Sequence, residues 1–275
     1  MRLLVEICER RSLILLLLTC SSLLVACAAP RPGDGPPRSG SNVPRELPGN
    51  AIPRDEPKSR YGNGPYYRVM GETYKVMDSS LGYQERGVAS WYGKKFHGRM
   101  TSSQEPYDMY AMTAAHKELP LPTYVRVRNL KNNRSIVVRV NDRGPFVDNR
   151  LIDLSYSAAL KLDMVRDGTI LVEVTAISFD EPAPRSTTPV AAESTTIDTK
   201  LFIQVGAFGD RDNAERRFRM LRNNGFQQAF VHKDTRQAPA LYRVRIGPIA
   251  EVSQYDVLVG RLSDIGISET HLISD

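Results

Sequence analysis

Two segments of biased composition divide this chain and limit what it can fold into. Residues 30–65 contain nine of its eighteen prolines, with glycines and serines between them, and residues 180–199 are rich in proline, serine and threonine. Neither segment carries enough apolar side chains to build a packed core. We therefore expect the 275 residues to form two small domains, at 66–179 and 200–275, joined by a linker at 180–199.

The first 26 residues have the layout of a secretory signal peptide, because three arginines precede a short apolar run at residues 13–18. That run is too short and too interrupted to span a membrane. The signal ends in Leu-Val-Ala-Cys at 24–27, which resembles a bacterial lipobox and predicts lipidation of Cys27. A small-residue cleavage site with a chance cysteine is the alternative interpretation.

Cys27 would be the only cysteine of the mature chain, since Cys8 and Cys20 lie inside the predicted signal peptide. A disulfide framework is then excluded, and lipid attachment is the simplest role for the thiol. The next residue is Ala28 rather than aspartate, which resembles a lipoprotein sorted to the periplasmic face of the outer membrane. Residues 27–65 would then form an extended tether with a reach of about 100 Å.

Short runs with the composition of strands fill the first predicted domain. We expect a hairpin at 67–76, strands at 87–92, 123–129, 135–141 and 168–177, and one helix at 155–162 with Ser155 as its N-cap. Many short strands with few helices predict a small closed barrel. After residue 200 the order becomes β-α-β-β-α-β, a ferredoxin-like arrangement that predicts one four-stranded sheet with both helices on one face.

Several motifs resemble the rare lipoprotein A family. They are Gly-Val-Ala-Ser-Trp-Tyr-Gly at 87–93, Phe-His-Gly at 96–98, Met-Thr-Ala-Ala-His at 112–116, Val-Asn-Asp-Arg-Gly-Pro-Phe at 140–146 and Ile-Asp-Leu-Ser at 152–155. The resemblance implies a six-stranded double-psi β-barrel. The segments at 201–208 and 241–248 are similar to the peptidoglycan-binding module of the sporulation-related repeat (SPOR) type, which many members carry.

The resemblance also implies an activity. Characterised members are lytic transglycosylases, which cut the β-1,4 bond between N-acetylmuramic acid and N-acetylglucosamine and leave a 1,6-anhydro end. The reaction needs a carboxylic acid that protonates the leaving oxygen, and the same or a nearby group then accepts the proton of the C6 hydroxyl. An acid that is protonated at neutral pH requires a raised pKa, obtained from an apolar wall or a second carboxylate.

Glu105 is the first candidate for this acid, because the catalytic glutamate of the family maps onto it. It lies between a polar turn and Pro106, and a solvated loop glutamate is the alternative. Gln104 stands where members usually carry a glycine. If that position needs a positive φ, glutamine is strained there and the acid is re-aimed.

Asp142 and His116 are the further catalytic candidates. Asp142 precedes Arg143 at a predicted barrel rim, where it can tune Glu105, serve as a turn aspartate paired with Arg143, or do both. His116 either orients a carboxyl group or is a satisfied core histidine.

Trp91, Tyr92, His97 and Arg143 are the candidates for sugar contact in the first domain, since aromatic faces stack on the C–H faces of pyranose rings. One of the three rings is expected to belong to the core instead. No His or Cys cluster has metal-ligand spacing and no glycine-rich phosphate loop is present in the sequence, so we expect neither a metal nor a cofactor.

In the second domain, Gln204, Phe208, Tyr242 and Arg243 are the candidates for glycan binding. The resemblance to the SPOR module implies glycan strands stripped of their stem peptides, as found at division septa. Some of these side chains are expected to form core or solvated surface, and Tyr242 can pack under the helices.

Three hypotheses for the function follow. The first is a lipid-anchored murein lyase, which its terminal module concentrates on the septal substrate. The second is a non-catalytic peptidoglycan-binding lipoprotein that acts as a cell-wall or division scaffold, with division proteins as partners. The third is RNA binding by the C-terminal sheet, whose ferredoxin-like arrangement with exposed aromatics and arginines resembles RNA-binding sheets. The export signal argues against it. We therefore expect no nucleic acid partner.

Overall fold

The computed structural model describes residues 35–37, 46–179, 200–236 and 238–275. The predicted signal peptide, Cys27, Ala28 and the linker at 180–199 lie outside the described residues. Within the described part of the chain, none of the helices has both the length and the apolar character that crossing a membrane requires.

The first domain is a closed six-stranded barrel, as predicted. Its strands are β3 (Gln84–Tyr92), β4 (Thr113–His116), β5 (Thr123–Asn129), β6 (Ser135–Asp142), β7 (Arg150–Ser155) and β8 (Ile170–Ala176). They close in the order β3-β7-β4-β6-β5-β8. The predicted hairpin precedes the barrel as β1 (Tyr66–Val69) and β2 (Glu72–Lys75). The β3–β7 and β4–β6 pairs are parallel, and the other four pairs of the barrel are antiparallel.

The barrel interior is filled by alternate residues of each strand, as the period of two along a β-strand requires. On β5 and β6 the inward side chains are Val125, Val127, Val138 and Val140, each fully buried. Helix α1 (Tyr156–Lys161) begins where predicted, because the Ser155 side chain accepts a hydrogen bond from the Ala158 backbone N–H. Polar residues between these inward positions therefore lie on the outside of the barrel.

The second domain has the predicted β-α-β-β-α-β order. Its elements are β9 (Leu201–Phe208), α2 (Arg211–Asn223), β10 (Ala229–Asp234), β11 (Leu241–Ile249), α3 (Val252–Asp264) and β12 (His271–Ser274). The four strands form one sheet in the order β10-β11-β9-β12. Apolar side chains from the strands and both helices share one core cluster, so the helices cover one face of the sheet.

The segment before the barrel differs from the prediction. Residues 46–65 were expected to belong to an extended tether, but the backbone N–H of Ala51 donates to Val137 (3.0 Å) and that of Ser59 donates to Leu121 (2.8 Å). Asn63 also donates to Leu121 through its side-chain amide (2.6 Å). Although prolines prevent this segment from building a core of its own, it binds to a barrel that already has one. The packed part of the chain therefore begins well before residue 66.

The two domains contact each other directly. Val88 on β3 and Leu171 on β8 belong to the core cluster of the second domain. Arg150 on β7 donates two hydrogen bonds to the carboxylate of Asp256 on α3, at 2.9 and 3.1 Å. An apolar contact joined to a half-buried ion pair holds the C-terminal domain against one side of the barrel.

Candidate active site

Glu105 lies on the long loop between β3 and β4, at the end of a tight turn. The turn is closed by hydrogen bonds from the Thr101 N–H to the Glu105 carbonyl (2.8 Å) and from the Gln104 N–H to the Thr101 carbonyl (2.9 Å). Gln104 has a φ of 66°, so this position does need the left-handed backbone that glycine adopts most easily. The turn accepts glutamine and keeps the carboxyl group of Glu105 directed at β6.

Arg139 and Asn141 on β6 hold the Glu105 carboxylate. Arg139 donates from Nη1 to Oε2 (2.7 Å) and from Nη2 to Oε1 (3.0 Å), and the Asn141 amide donates to Oε2 (2.8 Å). The Glu105 side chain is 40% exposed, so a ligand can reach it from the outside of the barrel. Oδ1 of Asn141 is buried and accepts no hydrogen bond from the described residues.

The pKa of Glu105 is lowered in the free protein, which corrects the expectation of an acid kept protonated. Burial of the side chain acts to raise the pKa. The hydrogen bonds from Arg139 and Asn141, together with the charge of Arg139, outweigh burial and hold the pKa below its usual value of 4.5. The second carboxylate nearby, Glu56, raises the pKa by a smaller amount. Glu105 is therefore ionised at neutral pH until something changes its surroundings.

Asp142 fastens the turn that carries Glu105. Its Oδ1 accepts hydrogen bonds from the backbone N–H of Ser102 (2.8 Å), the hydroxyl of Ser102 (2.7 Å) and the backbone N–H of Arg143 (2.7 Å). Asp142 is therefore bound to Ser102, which lies three positions before Glu105 in the turn. Asp142 pairs with the backbone N–H of Arg143 rather than with the Arg143 guanidinium. This arrangement suits a residue that positions the acid.

His116 is a buried core histidine. Its Nδ1 accepts hydrogen bonds from the N–H groups of Glu118 (3.1 Å) and Leu119 (3.0 Å), so the proton of the neutral ring is on Nε2, which lies 2.8 Å from the Tyr83 hydroxyl. Burial, with the charges of Arg143 and Lys117, lowers its pKa to about 3. None of these bonds leads to Glu105, so the structure does not support the predicted role in orienting the acid.

Arg143 is also committed to the interior. Its side chain donates to the carbonyl groups of Gly62 (2.7 and 2.9 Å) and Leu119 (2.6 Å), and it is only 8% exposed. The predicted sugar contact is therefore wrong for this residue. Arg143 instead ties the segment before the barrel to the loop that follows β4, because buried carbonyl groups need donors.

The three predicted sugar-contacting rings separate into core and surface. Tyr92 is buried and stacks on Tyr107 with ring centroids 4.1 Å apart, so it is the ring that belongs to the core. Trp91 is half-buried and packs against Tyr156 at 5.7 Å. The side chain of His97 is 45% exposed, and its Nδ1 accepts a hydrogen bond from the Met109 N–H. Trp91 and His97 remain candidates for sugar contact.

The candidates in the C-terminal domain also divide into two groups. Gln204 and Arg243 lie on neighbouring strands and share a hydrogen bond of 3.3 Å. Phe208 and Tyr242 are paired across β9 and β11, and both pack against the core cluster. Gln204 and Arg243 therefore remain available for glycan binding, whereas Phe208 and Tyr242 contribute to packing.

Sequence reasoning missed four residues of the site: Glu56, Ser102, Arg139 and Asn141. The period of two along β6 would have placed Arg139 and Asn141 on one face, but nothing in the sequence pairs them with a loop more than thirty residues away. Among the described residues, no cluster of three or more His, Cys, Asp and Glu side chains could hold a metal ion.

Comparison with protein families divides the chain as the structure does. Residues 84–174 match the family described as lytic transglycolase, and residues 198–270 match the SPOR domain family. The first match covers the barrel with the Glu105 turn, and the second covers most of the C-terminal domain.

The chain is also similar to proteins that are named as transglycosylases. The chain is 39% identical over 223 residues to the endolytic peptidoglycan transglycosylase RlpA of Vibrio cholerae, covering 69% of this chain and 84% of that protein. It is 37% identical over 238 residues to the RlpA of Pseudomonas aeruginosa strain UCBPP-PA14, covering 68% and 70%. The crystal structure of the SPOR domain of RlpA from Pseudomonas aeruginosa is 27% identical, with a TM-score of 0.25, and covers 26% of this chain and 96% of that one.

Proposed function

This chain belongs to the rare lipoprotein A family, and on that premise we propose that it is a peptidoglycan lytic transglycosylase. Its substrate would be the β-1,4 bond between N-acetylmuramic acid and N-acetylglucosamine in glycan strands that lack stem peptides. Related proteins over most of the chain are endolytic peptidoglycan transglycosylases. The barrel matches the lytic transglycolase family over the residues that carry Glu105 and Asp142.

The observation that carries this proposal is the state of Glu105. It is a carboxylate that is 40% exposed, held in one orientation by Arg139 and Asn141, on a turn that Asp142 fastens. A group that transfers protons must be both accessible and fixed in direction. Of the three predicted catalytic residues, His116 is buried, and Oδ1 of Asp142 already accepts three hydrogen bonds from Ser102 and Arg143. Glu105 is therefore the carboxyl group best placed to transfer the proton.

In the first step, the protonated Glu105 donates its proton to the glycosidic oxygen as the bond from C1 to that oxygen breaks. The released N-acetylglucosamine leaves with a free 4-hydroxyl group. A bound glycan strand covers the exposed part of Glu105, and this loss of solvent raises the pKa of the carboxyl group toward the value that proton donation needs.

In the second step, the C6 hydroxyl oxygen of the muramic acid ring attacks C1, and the Glu105 carboxylate accepts the hydroxyl proton. The ring closes as the 1,6-anhydro product and Glu105 returns to its protonated form, so no water is consumed. One carboxyl group suffices because it is acid and then base in turn.

We further propose that the C-terminal domain holds the glycan strand, with Gln204 and Arg243 as its contacts. A weak binding domain joined to the barrel raises the local concentration of substrate. The protein would then work in the cell envelope, anchored by a lipid on Cys27 to the periplasmic face of the outer membrane. Enrichment at the septum and contact with division proteins belong to the same proposal.

The test is cleavage of peptide-free murein by protein that lacks the leader, followed by mass spectrometry. The expected products carry 1,6-anhydro ends and are lighter by one water than hydrolysis products. Glu105→Gln should reduce their release by about 10³-fold or more, because the amide cannot donate or accept the proton.

The matched control is Glu72→Gln, which makes the same change on the exposed β2 strand and should cleave at the wild-type rate. Wild-type activity in Glu105→Gln would refute the assignment of the acid. Products that retain the water would identify a hydrolase instead.

One observation favours a second candidate, a peptidoglycan-binding lipoprotein without catalysis. The Arg139 and Asn141 contacts keep Glu105 ionised in the free protein, and a carboxylate in that state binds sugar hydroxyl groups without cleaving the strand. Binding to peptide-free strands with no anhydro product from the wild-type protein would support this candidate.

A further inference from the structure

Arg139 lies between two carboxylates, and the second one comes from outside the barrel. Glu56 accepts from Nη2 of Arg139 through Oε2 (2.8 Å) and from Nε through Oε1 (3.2 Å). The same Nη2 donates to Oε1 of Glu105 at 3.0 Å. One guanidinium therefore satisfies two carboxylates that are 49 positions apart in the sequence.

We propose that Glu56 is a positioning residue for the transglycosylase site, which holds Arg139 in place while Glu105 alternates between its ionised and protonated forms. This inference rests on the proposed function of Glu105. It assigns a role in the reaction to the segment at 46–65, which precedes the matched family region at 84–174.

The surroundings of Glu56 fix it more firmly than those of Glu105. The Tyr124 hydroxyl on β5 donates to Oε1 of Glu56, and the Glu56 side chain is 28% exposed against 40% for Glu105. The hydrogen bond from Arg139 is the main cause that holds the pKa of Glu56 below 4.5, with Tyr124 and the charge of Arg54 acting in the same direction and burial against them. Glu56 thus remains ionised as the permanent partner of Arg139.

A permanent partner makes protonation of Glu105 less costly. When Glu105 takes up a proton it loses its ion pair with Arg139, but the guanidinium is still neutralised by Glu56 and does not become an unpaired, half-buried charge. Glu56 also repels the ionised form of Glu105, which raises its pKa.

The groups that act on Glu105 come from two elements. Arg139 and Asn141 on β6 lower its pKa, and Glu56 in the segment before the barrel raises it. Without Glu56, the full charge of Arg139 would bear on Glu105 alone. The pKa of Glu105 would fall further, and a smaller fraction would carry the proton that cleavage requires.

The test is Glu56→Gln, read in two ways. The first is the pH titration of the Glu105 carboxyl carbon by NMR, which needs no turnover. The second is the pH dependence of anhydro-product release. We expect the Glu105 titration and the high-pH limb of activity to move together to lower pH by about one unit, which lowers the neutral-pH rate about tenfold and leaves the rate at acidic pH near that of the wild type.

Asp55→Asn is the matched control, because it removes the same charge from the neighbouring, exposed position and should move neither curve. Tyr124→Phe weakens the hold on Glu56 and should shift both curves in the same direction by less. It also serves as the second variant if Glu56→Gln does not fold.

The inference is overturned if neither the Glu105 titration nor the pH dependence of product release moves in Glu56→Gln and Tyr124→Phe. It is also overturned if activity falls by the same factor at every pH. The proposed function fails separately, if the wild type releases no anhydro product. In that case a shifted NMR titration of Glu105 in Glu56→Gln would still support the sharing of Arg139 between Glu56 and Glu105.

Discussion

The barrel and the C-terminal sheet each contain a cluster of arginines and carboxylates, with opposite stoichiometry. In the barrel, Arg139 lies between Glu56 and Glu105. In the sheet, Asp234 lies between two arginines, accepting from Nε of Arg236 (2.9 Å) and Nε of Arg243 (2.8 Å). Asp234 is 3% exposed, whereas the side chain of Glu105 is 40% exposed.

This difference separates a cluster that can take up a proton from one that cannot. With more carboxylates than arginines, the barrel cluster keeps its cation paired after one carboxylate is protonated. With more arginines than carboxylates, protonation of Asp234 would remove the carboxylate to which both Arg236 and Arg243 donate. The arginines accordingly lower the pKa of Asp234 far below its usual value of 3.8. We infer that the first cluster serves chemistry and the second serves the framework of a binding surface.

The strongest test of this comparison is to make the same carboxylate-to-amide change in both clusters. Glu105→Gln should reduce cleavage by about 10³-fold or more and lower stability only slightly, because Arg139 keeps Glu56 as its ion-pair partner. Asp234→Asn should retain cleavage of soluble glycan fragments but lower the unfolding midpoint of the C-terminal domain by several degrees, since it leaves Arg243 without its anion. Product release and thermal unfolding measure the two effects.

A double variant provides the control for that pair. If the clusters are independent, the stability effects of Glu105→Gln and Asp234→Asn add. If Asp234→Asn by itself stops the cleavage of soluble glycan fragments, the Asp234 cluster also serves the reaction, and the proposed difference between the two clusters is wrong.

An acid titration tests the same two regions through their stability, and its expected effect is smaller. His116 has a pKa of about 3 in the folded barrel against 6.5 when unperturbed, so between these values the unfolded chain binds a proton that the folded chain excludes. Its contribution to stability is complete above pH 6.5 and is lost as the pH falls toward 3, on the order of a few kcal/mol. The carboxylate of Asp234 remains ionised over that range, so the barrel should weaken first.

Denaturant unfolding at several pH values measures this order. The fluorescence of Trp91, the only tryptophan, reports on the barrel, and NMR signals of the C-terminal domain report on the sheet. His116→Gln should flatten the pH dependence of the barrel. If the C-terminal sheet unfolds at a higher pH than the barrel, the assignment of the barrel's acid sensitivity to His116 is wrong.

The smallest expected effect concerns the turn before Glu105. Gln104 has a φ of 66°, which costs about 1–2 kcal/mol for a residue with a side chain, partly offset by the conformational entropy that glycine loses on folding. Gln104→Gly should therefore stabilise the barrel by less than about 1 kcal/mol and leave cleavage unchanged, because the turn already has this backbone. A changed cleavage rate in this variant would show that glutamine does re-aim the acid.

The sequence predicted the architecture well, because the barrel and the C-terminal sheet both depend on local patterns. Alternating apolar residues gave the positions of β5, β6, β8 and β9, and Ser155 marked the start of α1. Two barrel strands were not predicted as strands, β4 and β7. Both are short, and β4 consists of Thr-Ala-Ala-His, whose alanines have little intrinsic preference for strands. They form because the parallel pairs with β6 and β3 bury them.

The site was predicted less completely. The turn residues around Glu105 marked the accessible acid, but composition alone assigned 46–65 to a tether and so concealed Glu56. Arg143 and His116 have the residue types of functional side chains, yet both satisfy backbone groups. The folded barrel brings the Leu119 carbonyl group to Arg143, whereas His116 accepts from the N–H groups of Glu118 and Leu119 in the turn that follows it. A sequence does not show whether a polar side chain faces a ligand or satisfies a buried carbonyl group.

The division into two domains and most of the strands and helices were determined by the sequence itself, because each depends on neighbours within a few residues. Tertiary structure alone decided which charges meet. The ionisation of Glu105 depends on Arg139, 34 positions away, and on Glu56, from a segment without a core of its own. Electrostatic energy depends on distance in space and on burial, and neither can be obtained from the order of residues before the chain is folded.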